Sequence, residues 1–422
     1  MQSNSIPKVR AVRCDYRASE EEVYQALVRA TAPLTEAWQR IRKAKRIGLK
    51  FNQDKQPQNR IYYEGQLQEL VSEKVARAFL RLLRERTDAE LICSDVSAYV
   101  MYGRATIQET LTFAEIFRDY NVTFADGTQP PYKTVAVPGG GLMFNEYVLP
   151  EAAVDVDEFI SVAKLKNHAF MGVTLCSKNL FGLMPGEPHS HTRTYFHHLV
   201  RMPYLLADLA KIFNPVLNVI DGLIGQAGQE WNYGIPEHGP TRVANTLIAG
   251  DQIIATDACA TSLMGHDPQS DWLTPPFHRD RNHLLVAAEG GFGTVDLQAI
   301  DFQSEVQAPM GEFYANLNEP LDHLARVRRT TAEQGLIYRA EQRKFVDRYA
   351  DNYILLQQGQ VLWSDKASDI NIDRRSLPGF RPDQGMYLKF VDPDEQEGEQ
   401  FGVYERATTL VHLGGNNHTI LR

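Results

Sequence analysis

The sequence has little cysteine, and no two of its cysteines lie close together. Its 422 residues contain four, at Cys14, Cys93, Cys176 and Cys259. Iron–sulfur and zinc clusters built from cysteine need closely spaced ligands, so the spacing predicts neither kind of cysteine-only cluster. Scattered, unpaired cysteines are typical of a protein kept reduced, which favours a cytoplasmic location.

Long apolar runs and basic stretches are also missing. The first eight residues, Met-Gln-Ser-Asn-Ser-Ile-Pro-Lys, lack the apolar segment of a signal peptide, and no charge-free apolar run is long enough to cross a membrane. The net charge of -9 argues against the broad basic surface that binds nucleic acid or an anionic membrane. These absences predict a cytoplasmic protein without nucleic-acid or membrane partners.

What the chain does contain is an alternation of strand and helix patterns. Capping boxes predict the starts of two helices, one at Ser19 with Glu22 and one at Thr106 with Glu109. Apolar periodicity predicts strands at 46–51, 89–95, 158–162, 216–221 and 243–251, and helices at 67–83, 106–117, 195–213 and 255–264. Such alternation predicts an α/β fold with a mostly parallel sheet covered by helices.

The composition changes past about residue 310, where aromatic and charged residues become frequent. We therefore predict a core over residues 1–310, with a division into two lobes near residue 150 left open, and a smaller α+β module over 311–422. Within the module, two apolar runs in 352–363 flank a Gln-Gln-Gly-Gln turn and predict a hairpin. The triple glycine 139–141 follows no strand-to-helix fingerprint and is interpreted as a turn rather than a phosphate cradle.

Polar side chains collect where predicted strands end, and lysine and asparagine recur among them. In an open α/β sheet the carboxyl ends of the strands border the ligand crevice. The alternative is that strands simply end where polar residues begin. We favour a crevice for a small anionic molecule, with ligand-binding residues Lys50, Asn52, Ser94, Asp95, Lys164, Lys166, Asn179 and Asp257.

Three further residues are candidates for catalysis: His168, Lys178 and Asp221. A lysine among apolar neighbours loses solvation and can act as a base or clamp an anion. Structural roles stay open beside these functional ones. His168 could lie in a strand-end turn, Lys178 could form an ion pair with Asp221 or Asp257, and Asp257 could stabilise the start of a helix. The aspartates would also suit Mg²⁺, so a divalent metal remains open.

Several of these motifs resemble a known family. Lys50-Phe-Asn52, Lys164-Leu-Lys166-Asn-His168, Lys178-Asn179-Leu-Phe-Gly182 and Ile220-Asp221-Gly222 are similar to the family called domain of unknown function 362, over roughly residues 46 to 290. Many of its members carry an appended ferredoxin-like cysteine cluster. This chain has no such cluster in its sequence, and we expect no iron–sulfur centre.

A more distant resemblance is to the nickel-pincer lactate racemases, whose fold it implies as a two-lobed core. His168-Ala-Phe-Met-Gly172 followed by Lys178 is similar to their second-domain motif. The resemblance implies proton transfer by His168 and a pincer tethered to Lys178. It also implies a later nickel-ligating histidine, with candidates His189, His191, His197 and His198. The racemases' Gly-x-His-Arg turn is absent after Asp95, so two-base racemisation is not expected.

Three hypotheses about function follow. The first is an enzyme that acts on a small anionic metabolite, as an oxidoreductase or an isomerase. The second is a non-catalytic protein that binds a cofactor or anion in the same crevice. The third is a structural protein whose crevice charges pair with each other and whose module mediates assembly, and a homo-oligomer is compatible with all three.

Overall fold

In the computed structural model, residues 5–186, 190–228, 240–317, 319–367 and 373–414 are described. The strands are β1 Lys8–Arg13, β2 Arg46–Phe51, β3 Tyr62–Tyr63, β4 Gln66–Leu67, β5 Glu90–Asp95, β6 Val122–Asp126, β7 Tyr132–Ala136, β8 Glu146–Pro150, β9 Glu158–His168, β10 Gly172–Thr174, β11 Leu217–Gln226, β12 Thr241–Gly250, β13 Asp301–Ser304, β14 Tyr353–Gln357, β15 Gln360–Asp365 and β16 Tyr387–Phe390. The helices are α1 Glu20–Thr31, α2 Thr35–Lys43, α3 Glu73–Arg84, α4 Ala98–Met101, α5 Ile107–Thr110, α6 Ala114–Asp119, α7 Glu151–Val154, α8 Cys176–Asn179, α9 Arg193–Phe196, α10 Arg201–Phe213, α11 Ile253–Leu263, α12 His283–Glu289, α13 Leu321–Ala340, α14 Gln342–Tyr349 and α15 Gly402–Gly414.

A nine-stranded sheet, counted over the described ranges, forms the centre of the protein. Its order is β13-β1-β12-β11-β9-β2-β5-β6, with β10 paired to β9. The run from β11 through β9, β2 and β5 to β6 is parallel, whereas β12 runs antiparallel to both of its neighbours. The predicted α/β fold with a mostly parallel sheet is confirmed.

Helices cover the sheet on both faces, which is why its central strands are buried along almost their whole length. All ten residues of β11 are buried, and strands without alternation are the mark of a sheet covered on two sides. On one face α1 and α3 pack with the sheet in a cluster that includes Phe51, Phe79 and Leu217. On the other face α10, α11 and α12 form a second cluster.

The helix predicted over 67–83 begins later than expected, at Glu73. Leu67 belongs to the short strand β4, and Leu70 and Val71 are buried in the connecting segment. The Val71 amide donates a hydrogen bond to the Asn52 carbonyl, which fixes this segment against the end of β2. Buried loop residues thus extended the apolar pattern beyond the helix.

Two other predicted helices are interrupted. The helix predicted over 106–117 is divided into α5 and α6, although the capping box of Thr106 with Glu109 is present. The amide of Thr112, between the two, donates to the Gln53 side chain at 2.7 Å. The helix predicted over 195–213 is divided at Val200, whose φ is 73° and whose amide donates to Asp280 at 2.6 Å.

Residues 321–414 form the helices α13 to α15 around a three-stranded antiparallel sheet of order β15-β14-β16. The predicted hairpin is confirmed as β14 and β15, and positive φ at Gln358 (52°) and Gly359 (68°) suits its two-residue turn. The domain boundaries themselves remain a prediction.

Buried ion pairs cross the predicted boundary in both directions. Arg201 of α10 contacts Glu399 at 2.9 Å, and Arg328 of α13 contacts Asp280 at 2.8 Å; all four side chains have no exposed surface. Lys389 of β16 adds its ammonium to Glu399 at 2.9 Å. The module and the core therefore supply each other's counter-ions.

The triple glycine forms a turn, with φ of 76° at Gly139 and 92° at Gly140. After it, the amides of residues 142, 143 and 144 donate to the carboxylate of Asp208 at 2.6, 2.8 and 3.3 Å. Burial raises the pKa of Asp208 to about 6, against the lowering effect of these amides. The amides that follow the turn thus bind the carboxyl group of Asp208 on α10.

Within the described ranges, no helix has both the length and the apolar character needed to cross a bilayer.

Candidate functional site

The carboxyl ends of β2, β5 and β9 border a crevice of about 360 Å³. Parallel strands end on the same edge of a sheet, so side chains that follow them meet there. Seven of the eleven predicted site residues line it: Lys50, Asn52, Asp95, Lys164, Lys166, Lys178 and Asn179. The other four, Ser94, His168, Asp221 and Asp257, are buried but are not on its wall.

Positive charge predominates among the described residues on the crevice wall. Seven side chains are cationic: Lys50, Lys55, Lys164, Lys166, Lys178, Arg104 and Arg193. Three are acidic: Asp54, Glu69 and Asp95. Like charges gathered around a cleft with low-dielectric walls focus the field and attract an ion of opposite sign.

Two lysines on the β2 side are held by carboxylates. The ammonium of Lys50 contacts Asp95 at 3.0 Å and donates to the Phe51 carbonyl at 2.6 Å. Gln53 donates to the same carboxylate at 3.0 Å. Lys55 forms an ion pair with Glu69. These contacts fix both ammonium groups at the crevice wall.

Lys164 of β9 is held from behind by Asp221 of β11. The two residues are register partners on adjacent parallel strands, and the ammonium lies 3.0 Å from the carboxylate with both side chains fully buried. Asp221 also accepts from the amides of Ser72 at 2.7 Å and Leu223 at 3.1 Å. Burial lowers the pKa of Lys164, and Asp221 opposes that effect. Asp221 is thus placed to position Lys164.

Lys178 lies in the short helix α8, with its ammonium 4.9 Å from the centre of the Phe181 ring. The Arg193 guanidinium lies 4.6 Å from the same ring. Among the described residues no ion pair joins Lys178 to Asp221 or Asp257, the partners considered from the sequence. Two cations that share one ring concentrate positive charge on this side of the crevice.

Asn179, next along the chain, is held in one orientation. Its amide nitrogen donates to the Lys50 carbonyl at 3.0 Å, to the Ser161 hydroxyl at 3.1 Å and to the Val162 carbonyl at 3.3 Å. Because all three are acceptors, the assignment of nitrogen and oxygen in this side chain is fixed. Its Oδ1 is buried and receives no hydrogen bond from the described residues.

Asp54 lies on the crevice wall but was not among the predicted site residues. Burial, and then the charge of Asp95, raise the pKa of its carboxyl to about 7, against hydrogen bonds from Ser97 and Thr110 and the charge of Lys50. A carboxyl that titrates near neutral pH suits proton transfer. Its position two residues after Asn52, close to the end of β2, was the feature of the sequence that could have identified it as a site residue.

His168 closes the turn between β9 and β10. Its Nδ1 accepts hydrogen bonds from the amides of Phe170 at 2.9 Å and Met171 at 3.1 Å. A neutral imidazole whose Nδ1 accepts carries its proton on Nε2, so it is a donor there and not a base. The strand-end turn considered for this residue is present, and its catalytic role stays a prediction.

Asp257 of α11 binds the start of α8. It accepts from the amides of Cys176 at 2.9 Å and Ser177 at 2.8 Å, and from the Ser177 hydroxyl at 2.6 Å. Burial raises the pKa of Asp257 to about 6. The hydroxyl also contacts Nε2 of His283 at 2.8 Å. This buried network positions the helix that carries Lys178.

Neither His191 nor His198 fits the nickel ligand implied by the racemase resemblance, because both ring nitrogens of each are engaged. Both ring nitrogens of His191 are engaged, by Tyr353 and by Glu397. Those of His198 contact the Leu199 carbonyl and the Leu388 amide. His197 uses Nδ1 on the Arg193 carbonyl at 2.9 Å. His189 lies outside the described residues.

Across the residues whose placement is described, no three or more His, Cys, Asp or Glu side chains are grouped so as to hold a metal ion. The Cys176 thiol, two residues before Lys178, is buried, and burial raises its pKa well above the ordinary value. The described residues of the crevice wall offer ammonium, guanidinium, amide and carboxyl groups, together with the hydroxyls of Tyr99, Tyr102 and Thr174.

Comparison with known proteins gives a family and two relatives. Residues 63–262 match the family described as Domain of unknown function (DUF362). A thylakoid-associated protein of Synechocystis sp. is 32% identical over 130 residues, which are 30% of this chain and 38% of that protein. The chain thus spans well under two thirds of this relative.

A solved structure, the lactate racemase apoprotein from Thermoanaerobacterium thermosaccharolyticum, shares 16% sequence identity. The alignment covers 53% of this chain and 51% of that chain, with a TM-score of 0.31. A likeness at this level carries no argument about mechanism. The family predicted from the sequence motifs is confirmed over the matched residues.

Proposed function

We propose that the protein, whose residues 63–262 match the DUF362 family, is an enzyme acting on a small anionic metabolite in the crevice. The observation that supports this most strongly is the charge of the wall, where the described residues include seven cationic and three acidic side chains around about 360 Å³. A cavity of this size accommodates a metabolite rather than a polymer.

In this proposal the anionic group of the substrate lies against Lys166, Lys178 and Arg193. Lys50 and Lys164, held by Asp95 and Asp221, add to the positive potential without moving. Asp54 exchanges a proton with the bound molecule, because a carboxyl with a pKa of about 7 gives up and regains its proton near neutral pH. Proton exchange of this kind serves an isomerase directly.

The two alternatives use the same residues differently. A non-catalytic binding protein would hold the anion without changing it. A structural protein would use the charges only to pair with each other, and three ion pairs favour that view: Lys50 with Asp95, Lys55 with Glu69, and Lys164 with Asp221. An experiment on Lys178 separates the ligand-binding hypotheses from the structural one.

Lys178→Ala should still fold and should lose the increase in melting temperature that anions produce in the unchanged protein. Among the contacts of this side chain, the one with the Phe181 ring is worth about 0.5–1 kcal/mol. The probes are inorganic phosphate and a set of anionic metabolites in differential scanning fluorimetry. The exposed Lys43→Ala serves as a matched control and should respond as the unchanged protein does.

A large loss of intrinsic stability in Lys178→Ala, together with no anion effect in the unchanged protein, would favour the structural hypothesis. Enzyme and binding protein are then separated by following a mixture of anionic metabolites with the protein by NMR. Turnover that is lost in Asp54→Asn, while anion binding is retained, supports the enzyme. Binding without any chemical change supports the binding protein.

We also propose a cytoplasmic location. All four cysteines are buried and free, as expected for a reducing compartment. The Synechocystis relative is thylakoid-associated, so attachment to a membrane surface is the alternative outcome. Cell fractionation with antibody detection separates the two: recovery in the membrane pellet at low salt would contradict the proposal.

A further inference from the structure

We infer that the ligand of this crevice is a small polyhydroxylated anion, such as a phosphorylated or carboxylated polyol. The inference rests on the proposed function and adds to it a chemical requirement beyond negative charge. It comes from polar oxygens of the wall residues that receive no hydrogen bond from the part of the chain that the structure describes.

Asn179 is the clearest of these. Its side chain is 8% exposed, and its amide nitrogen is committed to three acceptors, so its Oδ1 cannot exchange places with the nitrogen. The oxygen receives no hydrogen bond from the described residues. A buried acceptor without a donor is rare, because it has lost water and gained nothing in exchange.

Three further wall residues share this feature. Oδ1 of Asn52, Oδ1 of Asp54 and Oε1 of Glu69 are buried and receive no hydrogen bond from the described residues. Asn52 is held in place by its backbone, which bonds Val162 on one side and Val71 on the other. Four acceptors on one wall make the lack a property of the site and not of a single side chain.

These acceptors and the cations set different requirements for the ligand. The ammonium and guanidinium groups attract an anionic group. The amide oxygens of Asn52 and Asn179 and Oε1 of Glu69 need donors, and the carboxyl of Asp54, with a pKa of about 7, accepts or donates according to pH. An anion without hydroxyl groups satisfies the first set and leaves the second unmet. An uncharged polyol does the reverse. A molecule that joins an anionic group to several hydroxyls satisfies both, and a site built to bond a hydroxyl rejects strongly the analogue that lacks it.

The test uses matched ligands that differ in hydroxyl groups. Isothermal titration calorimetry compares glycerol 3-phosphate with propyl phosphate, and gluconate with hexanoate, with inorganic phosphate alongside. We expect the hydroxylated member of at least one pair to bind about tenfold more tightly or better. The pair that shows the difference identifies phosphate or carboxylate as the anionic group.

Equal binding within both pairs would overturn the inference and leave the proposed function in place. No binding by any of the five anions would count against both. A tighter hydroxylated member in either pair supports both, and the inference then makes a further prediction about one residue.

That residue is Asn52, whose side chain has no hydrogen bond to another described residue. Asn52→Ala should therefore keep the melting temperature and reduce the advantage of the hydroxylated ligand at least threefold. Asn59→Ala, a nearby partly buried residue that does not line the crevice, is the matched control and should keep that advantage. An unchanged advantage in Asn52→Ala would contradict the role of its oxygen.

Discussion

The raised pKa of Asp54 has a consequence for stability that can be measured without a ligand. The folded carboxyl titrates at about 7, and the ordinary value is 3.8. Between these values the unfolded chain has lost the proton that the folded chain retains, so stability falls as the pH rises from about 4 to about 7. Each pKa unit is worth about 1.4 kcal/mol, which makes about 4 kcal/mol the upper limit of the effect.

Asp54→Asn removes this titration. Relative to the unchanged protein, the variant should gain up to about 4 kcal/mol in unfolding free energy between pH 4 and pH 8, because an amide has no charged form to desolvate. Hydrogen bonds from Ser97 and Thr110 favour the charged form, and their effect is already contained in the pKa of about 7. Relaxation of the site around the charged form reduces the gain, and a gain of about 1 kcal/mol or more would support the reasoning.

The assay is urea unfolding followed by circular dichroism at pH 4, 6 and 8. Asp88→Asn, at an exposed site, is the matched control and should show little change with pH. A stability difference between Asp54→Asn and the unchanged protein that stays constant within about 0.5 kcal/mol across this range would refute the reasoning. It would also remove Asp54 as the proton-exchanging group of the proposed enzyme.

Two further substitutions test the crevice wall. Lys164→Met should lower the free energy of unfolding in urea by about 3 kcal/mol, because it leaves the Asp221 charge buried with only two amides as partners. Adding Asp221→Asn should recover part of that loss, and strictly additive costs would contradict the coupling. Gly182→Ala should weaken phosphate binding in calorimetry, because its Cβ would lie 2.5 Å from Cε of Lys50 and displace that ammonium. Gly402→Ala, whose Cβ meets nothing within 4 Å, is the control, and equal affinities in the two variants would show that Lys50 is not needed in its present place.

The arrangement of the sheet could be predicted from the sequence because strands and helices repeat their apolar residues with different periods. The strand predicted at 46–51 is found at Arg46–Phe51. The start of α3 could not be predicted, because Leu70 and Val71 are buried by tertiary contacts and do not belong to a helical face. The interruption at Val200 depends on Asp280, eighty residues away, which no local pattern reveals.

The crevice was predictable to the extent that it consists of strand ends. Lysines after β2 and in β9 face it because parallel strands end together. Arg104 and Arg193 come from loops and a short helix, and their approach to the crevice depends on the packed structure. The pKa of Asp54, about 7, depends on desolvation and on the charge of nearby Asp95, and both effects arise only after folding. Asp221 and Asp257 instead face inward, where they hold Lys164 and α8 in place.

The counter-ions exchanged between core and module bear on how the chain can be divided. A cut near residue 310 would remove Glu399 from Arg201 and Arg328 from Asp280, and would leave one uncompensated charge of each sign inside the remaining piece. Either charge alone costs several kcal/mol, a large part of the margin by which a domain stays folded. The residues after about 310 therefore supply the counter-ions that keep Arg201 and Asp280 compensated inside the core.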